Sequence, residues 1–424
     1  MYIKDLIKGF KEEKNGIYSV CSSDVDVIIA SLRQAQKDKS PLLVEATCNQ
    51  VNQFGGYTGM KPADYRDFVF ALADKVGFSK DKIILGGDHL GTQPFKSLKS
   101  SDAMNRAREM VKLFADAGFT KIHLDASVRC LDDHELSVDE FECQACERAA
   151  EMASVIEQTN NVNNISYIVG TEVPTPGGSL DNEEELKPTT AEEAEKTLKR
   201  SKDAFLKRKL NNGWQRVCGL VVQPGVEFSD TNIHSYDRLA ATKLSSFLKD
   251  NPKLVYEAHS TDYQSQNNLK ELVEDGFSIL KVGPALTYAK RQAIFALGRI
   301  EKELIKESEQ SHIEQVIDDA MVKNPSNWES HYHGTPEEIA QSRKYSYSDR
   351  LRYYWPNSKI QQSMIKLKKN LYQIVIPKTL IYEFLPNQYW AVREGLLPCN
   401  PDELINHQIM VELKRYSIAC KLSN

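Results

Sequence analysis

The sequence predicts an α/β fold, a parallel (β/α)8 TIM barrel with a helical C-terminal extension. Three observations carry that prediction. Eight short apolar runs recur along the chain: Ile17–Cys21, Leu42–Val44, Ile83–Leu85, Ile122–Leu124, Tyr167–Val169, Val217–Val222, Leu254–Tyr256 and Ile279–Leu280. Helix-like stretches fill most of the gaps, and buried strands alternating with helices read as a parallel barrel. Each run stops at a polar residue: Ser22, Glu45, Asp88 with His89, Asp125, Glu172, Gln223, His259 and Lys281. The carboxyl ends of barrel strands open onto one shared mouth, so these residues are expected to meet there.

The elements follow in order. Lys4–Lys14 reads as a helix before the first strand. Ser23–Lys37 is the first crossover helix, with Ser23 or Asp24 as its N-cap. The second run leads into the polar loop Asn49–Pro62 (NQVNQFGGYTGMKP), too rich in Gly and Gln for a helix and too long for a simple turn. Long ordered loops at a barrel mouth are usually functional. Ala63–Val76 is helical. Ala103–Ala117 has apolar residues at helical spacing and stops at Gly118. Ser137–Gln158 is a long amphipathic helix. TTAEEAEKTLKRSKDAF opens with a Thr cap and first-turn acids. Asp237–Lys249, Asn267–Asp275 and Ala285–Glu307 are the later helices. The barrel is assigned residues 1–309. From 310 to 424 the alternation stops, Tyr and Trp become frequent, and a helical extension is expected.

The chain has 424 residues, a formal net charge of -5, 41% hydrophobic residues and 27% charged ones. That is the composition of a soluble globular protein. The slightly acidic balance argues against nucleic acid as the main partner. No apolar stretch approaches the roughly 20 residues that cross a bilayer. The first residues, MYIKDLIKGFKEEKNG, lack a signal-peptide core, so a cytoplasmic location is expected. Eight cysteines show no framework spacing, and Cys143 and Cys146 read as ordinary helix-face residues rather than a zinc or redox pair.

GGDHLG (Gly86–Gly91) is the sharpest motif. Two glycines let the backbone turn tightly, and Asp88 and His89 then sit side by side. Neighbouring side chains on an extended segment diverge, so one can bind a metal while the other handles a proton. The alternative is a turn with Asp88 as a cap and His89 at the surface. His259 in EAHSTDYQ ends a run in the same ring as His89. Two histidines on different strands could share a divalent ion, with Glu172 or a water completing the shell. Glu45, Asp88, Asp125 and Glu172 are the candidate proton-transfer acids. Each alone could be a helix cap or salt-bridge partner. Together with two His and a Lys they are costly to bury unpaired, so they should pair with one another, a metal or a ligand.

Lys281 in KVGPALTYAKR could form a Schiff base or contact a phosphate or carboxylate. Gly283, followed by a helix start, offers free amides that suit an anion, and the anion reading is preferred. Asn52, Gln223 and Ser260 are the remaining candidate substrate contacts. Arg350 and Arg352 in SDRLRYYWP could reach a substrate phosphate, or pack at an interface.

These motifs resemble the GatZ/KbaZ family, the Z-type subunits associated with class II tagatose-1,6-bisphosphate aldolase, also described as tagatose-6-phosphate kinases. The carriers run nearly end to end: EATCNQVNQFGGYTGM, ILGGDHLG, KIHLDAS, IVGTEVPTPGG, VVQPGVEF, VYEAHSTDYQ, ILKVGPALTYA and SDRLRYYWP. The resemblance implies a barrel related to class II aldolases. There an Asp-His pair supplies the proton-transfer acid and a zinc ligand, which would be Asp88 and His89. His259 resembles a second zinc ligand. The third would fall near Gln223, where no His stands, which leaves Glu172 as a candidate third ligand. No GxxxxGK[ST] phosphate loop occurs, which counts against a kinase.

Two functions follow. The resemblance implies a non-catalytic partner of the Y-type aldolase subunit in tagatose, galactitol or N-acetylgalactosamine breakdown. The polar strand ends favour a stand-alone metal-dependent, zinc-type 4-epimerase of a ketohexose or ketohexose phosphate, working by retro-aldol cleavage. A homo-oligomer is left open.

Overall fold

The computed structural model describes residues 2–171 and 186–423. The sheet strands are β1 (Ile17–Cys21), β2 (Leu42–Thr47), β3 (Ile83–Gly91), β4 (Lys121–Asp125), β5 (Ser166–Val169), β6 (Val217–Val221), β7 (Glu227–Phe228), β8 (Ile233–His234), β9 (Val255–Ala258) and β10 (Ile279–Val282). Eight of them close a barrel in the order β1-β10-β9-β6-β5-β4-β3-β2, and β7 and β8 form a separate two-stranded antiparallel sheet. The closing seam pairs β1 with β10 in parallel, Ile17 opposite Ile279 and Val20 opposite Val282. Each of the eight apolar runs falls on a barrel strand, with only Val222 and Leu254 just outside β6 and β9. The β7–β8 hairpin was not foreseen, because two-residue strands leave no periodic signal.

The helices up to the last barrel strand and just after it are α1 (Ile3–Glu13), α2 (Val25–Asp38), α3 (Pro62–Val76), α4 (Ser100–Asp116), α5 (Val138–Ile156), α6 (Ala191–Lys207), α7 (Asn211–Gln215), α8 (Thr242–Phe247), α9 (Gln266–Glu274) and α10 (Pro284–Leu304). Their starts are chemically marked. Asp24 accepts from the Asp26 and Val27 amides, and Ser137 and Thr190 form capping boxes with Glu140 and Glu193. One expectation is corrected. The stretch Asp237–Lys249 holds only the short α8, because Asp237 accepts from the Leu239 and Ala240 amides and makes a turn there instead.

Period-two alternation sorts the barrel interior into layers. Ile17, Leu43, Ile84, Ile168, Val255 and Ile279 form an apolar layer, closed from below by Ile3, Ile7 and Phe10 of α1. Two residues further along their strands stand Ser19, Glu45, Glu257 and Lys281, all buried, joined by Lys121 and His123 of β4. Charge therefore begins one layer above the apolar floor. Several polar residues that end an apolar run sit inside strands rather than beyond them: Glu45 in β2, Asp88 and His89 in β3, and Lys281 in β10.

Beyond α10 the described chain is helical: α11 (Ile313–Lys323), α12 (Pro336–Tyr345), α13 (Ser358–Tyr372), α14 (Lys378–Phe384), α15 (Pro386–Arg393) and α16 (Pro401–Ala419). α16 lies over α2, α9 and α10. Its buried Tyr416 donates to the Thr261 carbonyl at 2.8 Å. The segment between α12 and α13 turns back onto the mouth, where the Tyr347 amide donates to the Asp230 carbonyl and the Tyr263 hydroxyl to the Tyr347 carbonyl. No described helix is long and apolar enough to cross a membrane.

Candidate functional site

A β-bulge creates the centre of the site. The β3–β4 register shifts between Gly87 and Leu90, and His89 takes a left-handed φ of 48°. A bulge re-aims side chains. Asp88 and His89, expected to diverge, therefore both line the mouth cavity. The flanking glycines make room for it. A Cβ on Gly91 would lie 1.5 Å from the Asp125 carbonyl oxygen, and one on Gly86 would lie 2.6 Å from Glu45 Cγ.

Asp88 is ringed by cations and imidazoles. Lys281 Nζ stands 2.8 Å from its Oδ1, His123 Nδ1 3.1 Å from the same oxygen, and His89 Nε2 3.6 Å from Oδ2. Burial alone would raise the Asp88 pKa, but His89, Lys281, His123 and His259 outweigh it and hold the carboxyl well below its usual range. His89 Nδ1 meets Asp125 Oδ2 at 2.8 Å, and Asp125 also accepts from the Ser127 amide. Burial works against a charge on His89, yet Asp88 and Asp125 more than offset it, and its pKa is raised. His259 Nε2 meets Glu257 Oε1 at 2.9 Å. Here burial wins over that carboxylate and pulls the His259 pKa down to about 3, so the ring is neutral.

Beneath lies a fully buried ion network. Lys121 Nζ is 2.8 Å from Glu45 Oε1 and 2.6 Å from Glu257 Oε2, and Lys281 Nζ is 2.6 Å from Glu45 Oε2 and 3.9 Å from Glu257 Oε1. Lys281 is thus already neutralised by carboxylates. The amides expected to be free at Gly283 are also taken. Asp262 Oδ1 accepts from Gly283 N at 3.0 Å and Ala285 N at 2.8 Å.

Asp88, His123, Glu257 and His259 each place one ligand atom within 4.8 Å of the others. The residues fit a divalent ion. They are imidazole nitrogens and carboxylate oxygens, the donors such ions take. His259 is neutral, as ligation requires, and the buried His123 Nε2 has no hydrogen-bond partner. His89, the other histidine read as a ligand, stands beside this group with ring centroids 4.8 Å from His259 and 5.2 Å from His123.

The family model for D-tagatose-1,6-bisphosphate aldolase subunit GatZ/KbaZ-like proteins matches residues 3–421. The chain belongs to the GatZ/KbaZ-like family. A solved structure from Sinorhizobium meliloti 1021, a probable tagatose 6 phosphate kinase by its description, is 42% identical. The match covers 96% of this chain and all of that one, with a TM-score of 0.88. A fructose-bisphosphate aldolase from Campylobacter jejuni is 16% identical (91% and 93% covered, TM-score 0.44). The YdjI aldolase from Escherichia coli K12 is 11% identical (86% and 96% covered, TM-score 0.42). At those scores the two aldolases add nothing to the fold read from the sheet itself.

In this GatZ/KbaZ-like chain the remaining expected residues fall in different places. Ser260, with a left-handed φ of 53°, lines the mouth. Asn52 braces its own loop through the Cys48 carbonyl and the Phe54 and Gly56 amides, while Asn49, Gln50 and Tyr57 of that loop face the cavity. Gln223 folds onto the Gly225 and Val226 amides and stands outside the cavity lining. Arg350 is turned away toward the Asn327 carbonyl, and Arg352 lines the mouth in its place. Glu172 lies outside the described residues.

Sequence reading missed Lys121, His123 and Glu257. Their signal was present as the alternation Lys121-His123-Asp125 and Glu257-His259, which puts polar residues on the inward face of a strand. The apolar runs drew attention to strand ends instead.

Proposed function

We propose that this family member is an enzyme whose mouth converts a ketohexose, or its phosphate, into the C4 epimer by retro-aldol cleavage and re-addition. One observation carries the reading: an ionised Asp88 and His259 line the mouth cavity, with His123 and Glu257 of the same donor set buried beside them. A divalent ion, zinc in this reading, would be held by His123, Glu257 and His259 and would polarise the C2 carbonyl. Asp88 accepts the C4 hydroxyl proton as the C3–C4 bond opens, its electrons moving toward the C2 carbonyl and C4 becoming an aldehyde. The aldehyde rotates, C3 attacks its other face, and Asp88 returns the proton. Atoms and charge balance without a co-reactant. Protonated Lys281 keeps Asp88 ionised between steps, and His89, backed by Asp125, steadies its second oxygen.

The test is conversion between fructose and tagatose phosphates, followed by NMR on the purified, metal-analysed chain. Asp88→Asn should slow it by ~10²–10⁴-fold. Absence of conversion by metal-replete wild type would sink the proposal.

The word subunit in the family description favours a second reading, a partner of the Y-type tagatose-bisphosphate aldolase chain. Its mark would be rescue of that aldolase by wild type and Asp88→Asn alike. A cytoplasmic site, and self-association, are compatible with either role.

A further inference from the structure

We propose that Tyr57 is the moving leaf of an aromatic gate over the mouth, which closes against a fixed Tyr353 and swings aside to admit a ligand to Asp88 and His259. The gate goes beyond the reading above, because it governs access whatever chemistry follows behind it.

The cavity holding Asp88 and His259 has a volume of about 110 Å³ and adjoins a second of about 160 Å³. Small-molecule sites typically measure about 300–1,000 Å³, so neither cavity takes an organic ligand as it stands. Joined, the two come close to that range, which requires the wall between them to give. Six residues line both cavities: Cys21, Gln50, Tyr57, Gly283, Pro284 and Arg352. Five of them are tied down. Cys21 belongs to β1. Gln50 is buried, and its Oε1 accepts from the Thr47 amide at 2.9 Å. The Gly283–Pro284 turn is pinned by Asp262, which accepts from the Gly283 and Ala285 amides. Arg352 donates to the Ser348 and Asp349 carbonyls and to the Tyr353 hydroxyl. Tyr57 alone of the six is exposed, at 42%.

The two rings of the gate are held unequally. Tyr353 lies against two guanidinium groups, Arg350 at 4.7 Å and Arg352 at 4.5 Å from its ring centroid, and its hydroxyl accepts from Arg352 at 2.9 Å. Tyr57 meets Tyr353 edge-on with centroids 5.1 Å apart, and its hydroxyl bonds to the Gln50 and Ser23 side chains. One edge-to-face contact is weak, and water replaces the hydrogen bonds of a hydroxyl at a cavity rim. The backbone beneath Tyr57 is fixed. Its amide donates to the Asn49 carbonyl at 3.0 Å, and the Thr58 hydroxyl donates to the Gln50 carbonyl at 2.7 Å. Opening is therefore a rotation of the Tyr57 ring on a rigid loop, a motion that exposed side chains complete rapidly.

Cys21 lines both cavities and so reports the gate without any substrate. N-ethylmaleimide is added to the full-length protein at mildly alkaline pH, and the adduct at each cysteine is followed over time by peptide mass spectrometry. The exposed Cys143 supplies the reference rate, and the buried Cys218 reports any global unfolding. Tyr57→Ala should label Cys21 faster than wild type by ~10-fold or more relative to Cys143, with Cys218 silent. Tyr57→Leu stands in should the alanine variant not fold. Tyr57→Phe keeps the ring and should stay within ~3-fold of wild type. Equal Cys21 rates in wild type and Tyr57→Ala, zero included, would overturn the gate. So would a Tyr57→Phe rate as fast as that of Tyr57→Ala, because the hydroxyl rather than the ring would then close the wall. No turnover enters the measurement, so its outcome is separate from that of the epimerase test.

Discussion

Lys281 Nζ lies 2.8 Å from Asp88 Oδ1 and, in the same position, 2.6 Å from Glu45 Oε2. The last barrel strand is thereby tied to the second and third at the level where the apolar floor gives way to charge. With Lys121 and Glu257 the network holds three carboxylates and two ammonium groups, nearly all out of water. Its members are interdependent, because each ion is solvated by the others and by the neighbouring imidazoles of His89, His123 and His259.

Lys281→Met leaves the carboxylates of Glu45 and Asp88 without one of their cations. Breaking a buried pair from one side costs ~3–5 kcal/mol. Urea unfolding should show a loss of that size. A loss under ~1 kcal/mol would mean water reaches the network freely.

Gly91 and Gly9 make a matched pair. A methyl at Gly91 would collide with the Asp125 carbonyl, and one at Gly9 of α1 would meet nothing within 4 Å. Gly91→Ala should lose several kcal/mol and the geometry of Asp88 and His89, on the order of other severe core clashes. Gly9→Ala should gain ~0.5–1 kcal/mol from helix propensity. Thermal melts of the two variants check both signs at once.

Removal of metal should be visible in stability. At free-ion concentrations of 100–1,000 times Kd, a bound ion adds ~3–4 kcal/mol. Treatment with a chelator should lower Tm, and zinc should restore it. His123→Ala should start at the lowered Tm and ignore the chelator. Identical Tm values for chelated and zinc-loaded wild type would argue against an ion in this cluster.

Asp262 gives a pH signature. Burial pushes its carboxyl up to about 6 against the pull of the Ala285 and Gly283 amides. Between about 4 and 6 the unfolded chain has released this proton while the folded one still holds it. Stability from this group is therefore fully present below pH 4, falls as pH rises to 6, and is level above. Asp262→Asn keeps the oxygen acceptor and abolishes the titration. It should equal wild type near pH 4 and exceed it by ~3 kcal/mol at pH 7. Parallel stability curves for the two proteins would contradict this.

The barrel was legible because its strands must be buried on both faces, which writes an apolar run into the sequence wherever one occurs. Asp88, His89, His259, Ser260 and Lys281 were legible for the same reason, as polar residues interrupting or ending such runs. His123 and Glu257 were not, since each stands among residues that themselves look like strand. Arg352 could be named but not chosen over Arg350, because one backbone turn at Asp349 decides which of the two faces the cavity.

The sequence by itself determined the eight barrel strands and their order, several helix starts and the family. Pairing did not follow from it. Lys281 and Glu45 are 236 residues apart, and Lys121 and Glu45 are 76 apart. Only barrel closure brings them within reach, and only the bulge in β3 turns two adjacent side chains into the same cavity. Local patterning records whether a residue is buried, while the identity of its neighbours depends on register and closure, which no single segment contains.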